Sequence, residues 1–333
     1  MKKRDSSIDF LRATAVFLMV ITHVNALLYS GKNSILDIFT TAGVTLCFST
    51  FLFCSAYIDG LKIEKGKDFN IKKVLKRIFN IYIVYVLCGI FVTLVFQEGI
   101  TIDQILNIII LNYVPEFTEF LIAFILFSFL PLIFSKQIKQ LLSKPLLLVF
   151  LTISIYFLGS LISSELSKYS LPNYIRILVE NIFGYQNQHR FPIIPYLPIY
   201  SFGILLSKYK SNRILFKTLV ISLLLFFLLY FFKLSHWYRW PPSVLFLFYS
   251  FAYIPLILLI FRKFERTLSK SIFKLFTNVG KYPLEQFALS TLLVFTAKAF
   301  IPSTGNEFVS ILVNIIILGF LTAYPIVFYR KMV

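Results

Sequence analysis

The chain has 333 residues, 58% hydrophobic, 18% aromatic and only 14% charged, with a mean hydropathy of +0.81. That balance excludes an ordinary soluble domain, and apolar runs of full membrane-spanning length exclude a membrane barrel, whose strands are short and alternate. A net charge of +18 raises nucleic acid as a partner, but the charge is sorted by loop, as in a membrane protein, and nucleic acid is set aside.

The first predicted span covers 8–28 and carries Asp9, Arg12, His23 and Asn25 within an otherwise apolar run. An arginine there costs about 2.5–3.5 kcal/mol on insertion scales, so it is retained where it faces a bundle interior or a wet cavity. Arg12 and His23 are eleven residues apart, which places them on one helix face, about 16 Å apart along the axis. Asp9, Val16 and Met19 share that stripe, and Asp9 is placed to pair with Arg12. The competing reading has Arg12 reaching the headgroups and His23 bonding a neighbouring helix. The run is too long and too polar for a cleaved signal peptide and lacks a small-residue cleavage site, so it reads as a retained span.

Nine further spans are predicted, near 40–58, 78–96, 117–134, 146–163, 192–207, 214–232, 243–261, 282–300 and 308–328. The fold class is therefore all-α: a single membrane-embedded domain of about ten transmembrane helices over 1–333, with both termini cytoplasmic. Of the 33 Lys and Arg residues, 25 fall on the cytoplasmic side of that topology and seven outside, as the positive-inside rule requires. The run Ile105 to Tyr113 is too short to cross and is expected to be re-entrant or interfacial. The cytoplasmic segment Asp59 to Arg77 is dense in lysine and suits phosphates, of lipid headgroups or of a nucleotide-bearing donor. On the outer side, GYQNQHR (184–190) and KLSHWYRW (233–240) read as an aromatic belt or as a sugar site. Glu119 and Glu285 lie near span ends and are expected to be solvated or paired with a nearby lysine such as Lys281, Lys298 to reach the outer interface, and His189 and His236 to be surface histidines. Cys47, Cys54 and Cys88 form neither a disulfide framework nor a metal-ligand spacing, so no metal is expected.

Several segments carry a resemblance. DFLRATAVFLMVITH (9–23) resembles the opening helix of the acyltransferase-3 family, integral-membrane enzymes that acylate cell-surface carbohydrates. FLFCSAYI (51–58) is similar to its second-span motif, with Ser55 in register and Ala56 where glycine is usual. KKVLKRIFNIYIVY (72–85) resembles the third-span entry; Arg77 matches its second arginine, Val74 replaces the first with Lys73 beside it, and Asn80 replaces a proline. EFLIAFILFSFLPLI (119–133) is similar to the fourth span without its common tryptophan. YLPIYSFGILL (196–206) and VGKYPLEQFALS (279–290) resemble two later motifs, with Ser290 where a histidine is common.

The resemblance implies transfer from cytoplasmic acyl-coenzyme A, with acetyl-coenzyme A the expected form, to a hydroxyl of an extracytoplasmic glycan or glycolipid at the cell membrane. His23 would then be the general base or a covalent acyl carrier. Arg12 would hold a coenzyme phosphate or the thioester oxygen. Arg77, with Lys73 and Lys76, would bind the adenosine phosphates. An exporter of a glycan intermediate, kept open by Val74 and Ser290, and a silent subunit of an envelope-synthesis complex are the alternatives.

Overall fold

In lipid a backbone can satisfy its polar groups only within a helix or a closed barrel, so apolar runs of this length become helices. A computed structural model describes residues 5–67, 69–97, 99–184, 190–265 and 270–329. The basic start Lys2, Lys3, Arg4 and the stretch Tyr185 to His189 lie outside the described residues. Among the described residues there are thirteen helices and no strand. They are α1 (Ser6–Leu28), α2 (Ser34–Glu64), α3 (Ile71–Phe96), α4 (Ile102–Ile109), α5 (Glu119–Leu142), α6 (Pro145–Leu166) and α7 (Asn173–Ile182). After these come α8 (Ile193–Lys208), α9 (Asn212–Phe231), α10 (Val244–Phe264), α11 (Lys270–Lys281), α12 (Pro283–Phe300) and α13 (Glu307–Tyr329).

Eight of them, α1, α2, α3, α5, α6, α9, α10 and α13, are long and apolar enough to cross a bilayer. The other two expected spans correspond to α8, with 16 residues, and α12, with 18; at 1.5 Å per residue these are about 24 and 27 Å long. The chain is an all-α multi-pass membrane protein. Large apolar side chains such as Phe216, Leu224, Phe227 and Phe231 on α9, or Leu146, Phe150 and Leu161 on α6, stand exposed on the surface. Only lipid makes such a surface stable.

Three features depart from the sequence expectation. The basic segment 59–77 is mostly helix: α2 runs on to Glu64 and α3 begins at Ile71, so the connection is about six residues. The expected interfacial run 105–113 forms α4 earlier, at 102–109, where Thr101 and Gln104 make a reciprocal capping box. Two short helices, α7 and α11, occupy stretches expected to be loops.

The helices fall into two compact units. The first comprises residues 1–51, 91–99 and 254–333. At its centre is α1, which packs against α11, α12 and α13. Leu11, Ala13, Val16, Val20, Val24 and Leu28 are all fully buried, and 61% of the α1 span is buried against 17% for α9. A helix apolar on every side is a core helix, and here it is the one carrying the charges. Its C-terminal half is stitched by Asn25, which donates to Thr40 Oγ1 at 3.0 Å and accepts from Ser310 Oγ at 2.7 Å and Asn314 Nδ2 at 3.1 Å. The Leu28 carbonyl, left over at the helix end, accepts from Thr304 N at 3.0 Å.

The second unit comprises residues 52–90 and 100–253. Its buried centre is α8, packed against α5, α6 and α7. Thr152 of α6 donates to Ser201 of α8 at 3.0 Å.

Close packing in each unit hinges on a motif glycine. A Cβ on Gly280 would collide with the Asp9 backbone carbonyl, so only glycine lets the end of α11 rest on α1. A Cβ on Gly203 would lie 2.6 Å from the Phe53 carbonyl oxygen and 2.7 Å from Ala56 Cβ. Gly203 and Ala56 thus form a small-on-small contact between α8 and α2 of the kind that lets membrane helices approach. Gly280→Ala and Gly203→Ala are each expected to lower the unfolding midpoint in detergent by at least about 3 °C. Gly319→Ala, where a Cβ meets nothing within 4 Å, should leave it unchanged or raise it. Equal midpoints for all three would contradict the packing.

Candidate functional site

The polar stripe of α1 has the geometry its spacing implies. Asp9, Val16 and Met19 are buried, whereas Arg12 and His23 keep partial exposure, Arg12 at 14% of its side chain. Two polar groups about 16 Å apart are therefore accessible on a stripe whose intervening side chains, Val16 and Met19, are buried. Asp9 Oδ1 lies 3.9 Å from Arg12 Nη1. That is charge-pair distance, too long for a hydrogen bond, so Asp9 compensates the guanidinium without clamping its fork.

The backbone at Asp9 is held by α11, which rests on it at Gly280. Phe276 of α11 packs on Phe10 and Phe17 of α1, at 5.9 and 5.2 Å between ring centroids. The end of the stripe at His23 is held differently. Thr22 donates to Leu18 O at 2.8 Å, and the Asn25 network anchors the next turn. His23 is about 200° around the helix from Asn25, so the clamp orients α1 through the opposite face.

A second cluster lies in the other unit and joins three of the motif segments. Arg77 Nη2 of α3 donates to Ser55 Oγ of α2 at 2.7 Å. One turn beyond Ser55, Asp59 is 2% exposed and accepts from Tyr200 Oη of α8 at 3.2 Å, with Lys62 Nζ 3.6 Å away. The Arg77 charge also acts on Tyr200. Ser55, Arg77 and the Tyr200–Gly203 turn, scattered over the chain, thus form one site. Asp59 and Tyr200 were not singled out from the sequence; their only signal was a carboxylate one turn after the motif serine.

Lys73 lies one turn before Arg77, on the same side of α3. Lys76 falls instead on the stripe of Lys72, Phe79, Ile83 and Leu87, all exposed, the arrangement in which lysine stems cross apolar surface to reach headgroups. Around α3 Lys73 lies between Arg77 and Lys76, about 40° from the first and about 60° from the second, and both lysines are exposed.

Other sequence candidates resolve individually. Glu285 is exposed and Lys298 partly buried. Glu119 is partly buried, and its Oε2 is buried and takes part in no hydrogen bond. The three cysteines are buried and unbridged, and among the described residues no group of three His, Cys, Asp or Glu side chains could hold a metal.

A search of curated proteins found no match to this chain. The acyltransferase-3 family profile, described as an acyltransferase domain, matches residues 5–330. That span includes the α1 stripe, the Ser55–Arg77 contact and both packing glycines, and on this match the chain belongs to the acyltransferase-3 family of membrane acyltransferases.

Proposed function

We propose that the protein moves an acyl group, acetyl in the first instance, from cytoplasmic acyl-coenzyme A to a hydroxyl of an extracytoplasmic envelope glycan or glycolipid. The observation that carries the reading is the α1 stripe: a half-buried imidazole and a half-buried guanidinium on one face of a buried membrane helix. The 25 to seven division of basic residues supports an orientation with the Arg12 end of α1 and the Ser55–Arg77 cluster toward the cytoplasm, and His23 toward the outside.

In this reading the acceptor oxygen attacks the thioester carbonyl while His23 takes its proton. The carbon–sulfur bond breaks, and the proton passes to the departing thiolate to give the free thiol. Neutral imidazole suits the step because its reference pKa lies near the working pH. A covalent acyl-histidine divides the same transfer into two steps and leaves the net balance unchanged. Arg12 offers planar donors where negative charge develops or where a coenzyme phosphate rests. Arg77, pre-oriented by Ser55, binds the adenosine phosphates with Lys73 in support; Lys76 is kept as a weaker contributor.

His23→Gln is expected to lower transfer from acyl-coenzyme A at least about 100-fold, with purified yield and unfolding midpoint unchanged. Glutamine keeps hydrogen-bonding capacity but takes up no proton near neutral pH. Activity within a few-fold of wild type would sink the assignment and favour an exporter with His23 lining its path. Arg77→Ala is expected to raise the KM for acyl-coenzyme A about tenfold or more, and Lys76→Ala to change it less than about twofold. Equal effects would mean that the basic segment contacts lipid.

A further inference from the structure

Helix α2 continues past its apolar run to Glu64 and carries Asp59 and Lys62 on that extension. Ser55, Asp59 and Lys62 are spaced i, i+4 and i+7, so they share one face of the helix. Asp59 is covered, and both of its oxygens are engaged: Oδ2 accepts from Tyr200 Oη at 3.2 Å, and Oδ1 lies 3.6 Å from Lys62 Nζ. Phe69, in the connection to α3, has its ring centroid 5.6 Å from the same ammonium. The Lys62 side chain nonetheless keeps 47% exposure. One turn back along that face, the partly exposed Arg77 donates from Nη2 to Ser55 Oγ at 2.7 Å.

A lysine that only reaches for headgroups lays its stem over apolar surface and leaves its ammonium in water. Lys62 turns back instead, onto a buried carboxylate and an aromatic face. Two cations thus stand about one helical turn apart along α2, roughly 6 Å, each braced on one side and accessible on the other. Because Asp59 lies beneath Lys62, an incoming anion meets the ammonium and the guanidinium before the carboxylate. A guanidinium has more donors than one serine can accept from and receives oxygens in pairs, whereas an ammonium acts as a point charge. Two such groups at this spacing fit two linked phosphoryl groups, and a single phosphate would leave one of them unmatched. With Lys73 one turn along α3 from Arg77, three cations stand against one buried carboxylate. The remaining two positive charges equal the charge of a diphosphate diester.

We propose that Lys62, braced by Asp59 and Phe69, and Arg77, braced by Ser55, form a receptor for a diphosphate, and that the diphosphate of coenzyme A is its occupant. The donor role rests on the acyltransferase reading; diphosphate binding at this place does not.

The test is calorimetric titration of the purified protein in nanodiscs of phosphatidylcholine, with or without phosphatidylglycerol. Three probes are used: coenzyme A; dephospho-coenzyme A, which loses the ribose phosphate and keeps the diphosphate; and phosphopantetheine, which keeps a single phosphate. Dephospho-coenzyme A should bind at least about tenfold more tightly than phosphopantetheine. Lys62→Met should raise the Kd of coenzyme A and of dephospho-coenzyme A by the same factor, about tenfold, in both lipids, and narrow the gap to phosphopantetheine. Lys62→Arg should stay within about threefold of wild type. A weaker coenzyme A with unchanged dephospho-coenzyme A would assign Lys62 to the ribose phosphate and overturn the proposal. An effect present only with phosphatidylglycerol would assign it to headgroup phosphates and do the same. Unchanged Kd for both nucleotides, with or without a lowered unfolding midpoint, would leave Lys62 a counter-ion of Asp59 and also overturn it. Acyl transfer with coenzyme binding indifferent to Lys62 overturns the receptor and spares the proposed function. Lys62-dependent binding without transfer does the reverse.

Discussion

Hydrocarbon does not tolerate Asp9 and Arg12, and the first unit is organised around keeping them out of it. The charges sit on the most buried long helix, surrounded by α11, α12 and α13 rather than by lipid. Gly280 brings α11 onto the backbone beside Asp9, and the Asn25 network fixes the opposite face. An intramembrane arginine is retained at a cost of several kcal/mol only when something uses it. The same enclosure gives a reaction site what it needs, because a fixed donor in a low-dielectric surrounding acts far more strongly than one in water.

The second unit repeats that logic with different parts. Its buried helix α8 presents Tyr200 to Asp59, while Gly203 lets α8 approach Ala56 and Phe53 on α2. A glycine absent from position 56 is compensated by the glycine at 203, since alanine opposite glycine still permits close approach. Arg77 is held by Ser55, so the serine of one motif and the arginine of another are two halves of one contact. An arginine whose direction is already set loses less freedom when it meets a phosphate, which favours a defined ligand over a diffuse surface.

Much of this was legible in the chain. Runs of apolar residues located every long helix, and an eleven-residue spacing placed Arg12 and His23 on one face. The parts that were not legible share a physical cause. Hydropathy falls where lysines begin, but lysine and leucine are good helix formers, so α2 and α3 continue through the charged segment until only about six residues remain between them. Helices α7 and α11 are short and amphipathic and carry no long apolar run to announce them. Glu119 was expected to be solvated or paired with a nearby lysine because it opens a span; the arginines that act on it, Arg190 and Arg239, lie more than 70 positions away, and no local pattern encodes that.

The proposed function rests on one chemical claim, acylation of an envelope glycan as opposed to its export. Mass spectrometry of glycans from cells with and without the protein tests that claim most directly. Loss of the protein is expected to remove an acyl mass from a polymer that is still made and still displayed. Loss of the polymer itself, with acylation of the remaining glycans unchanged, would contradict it.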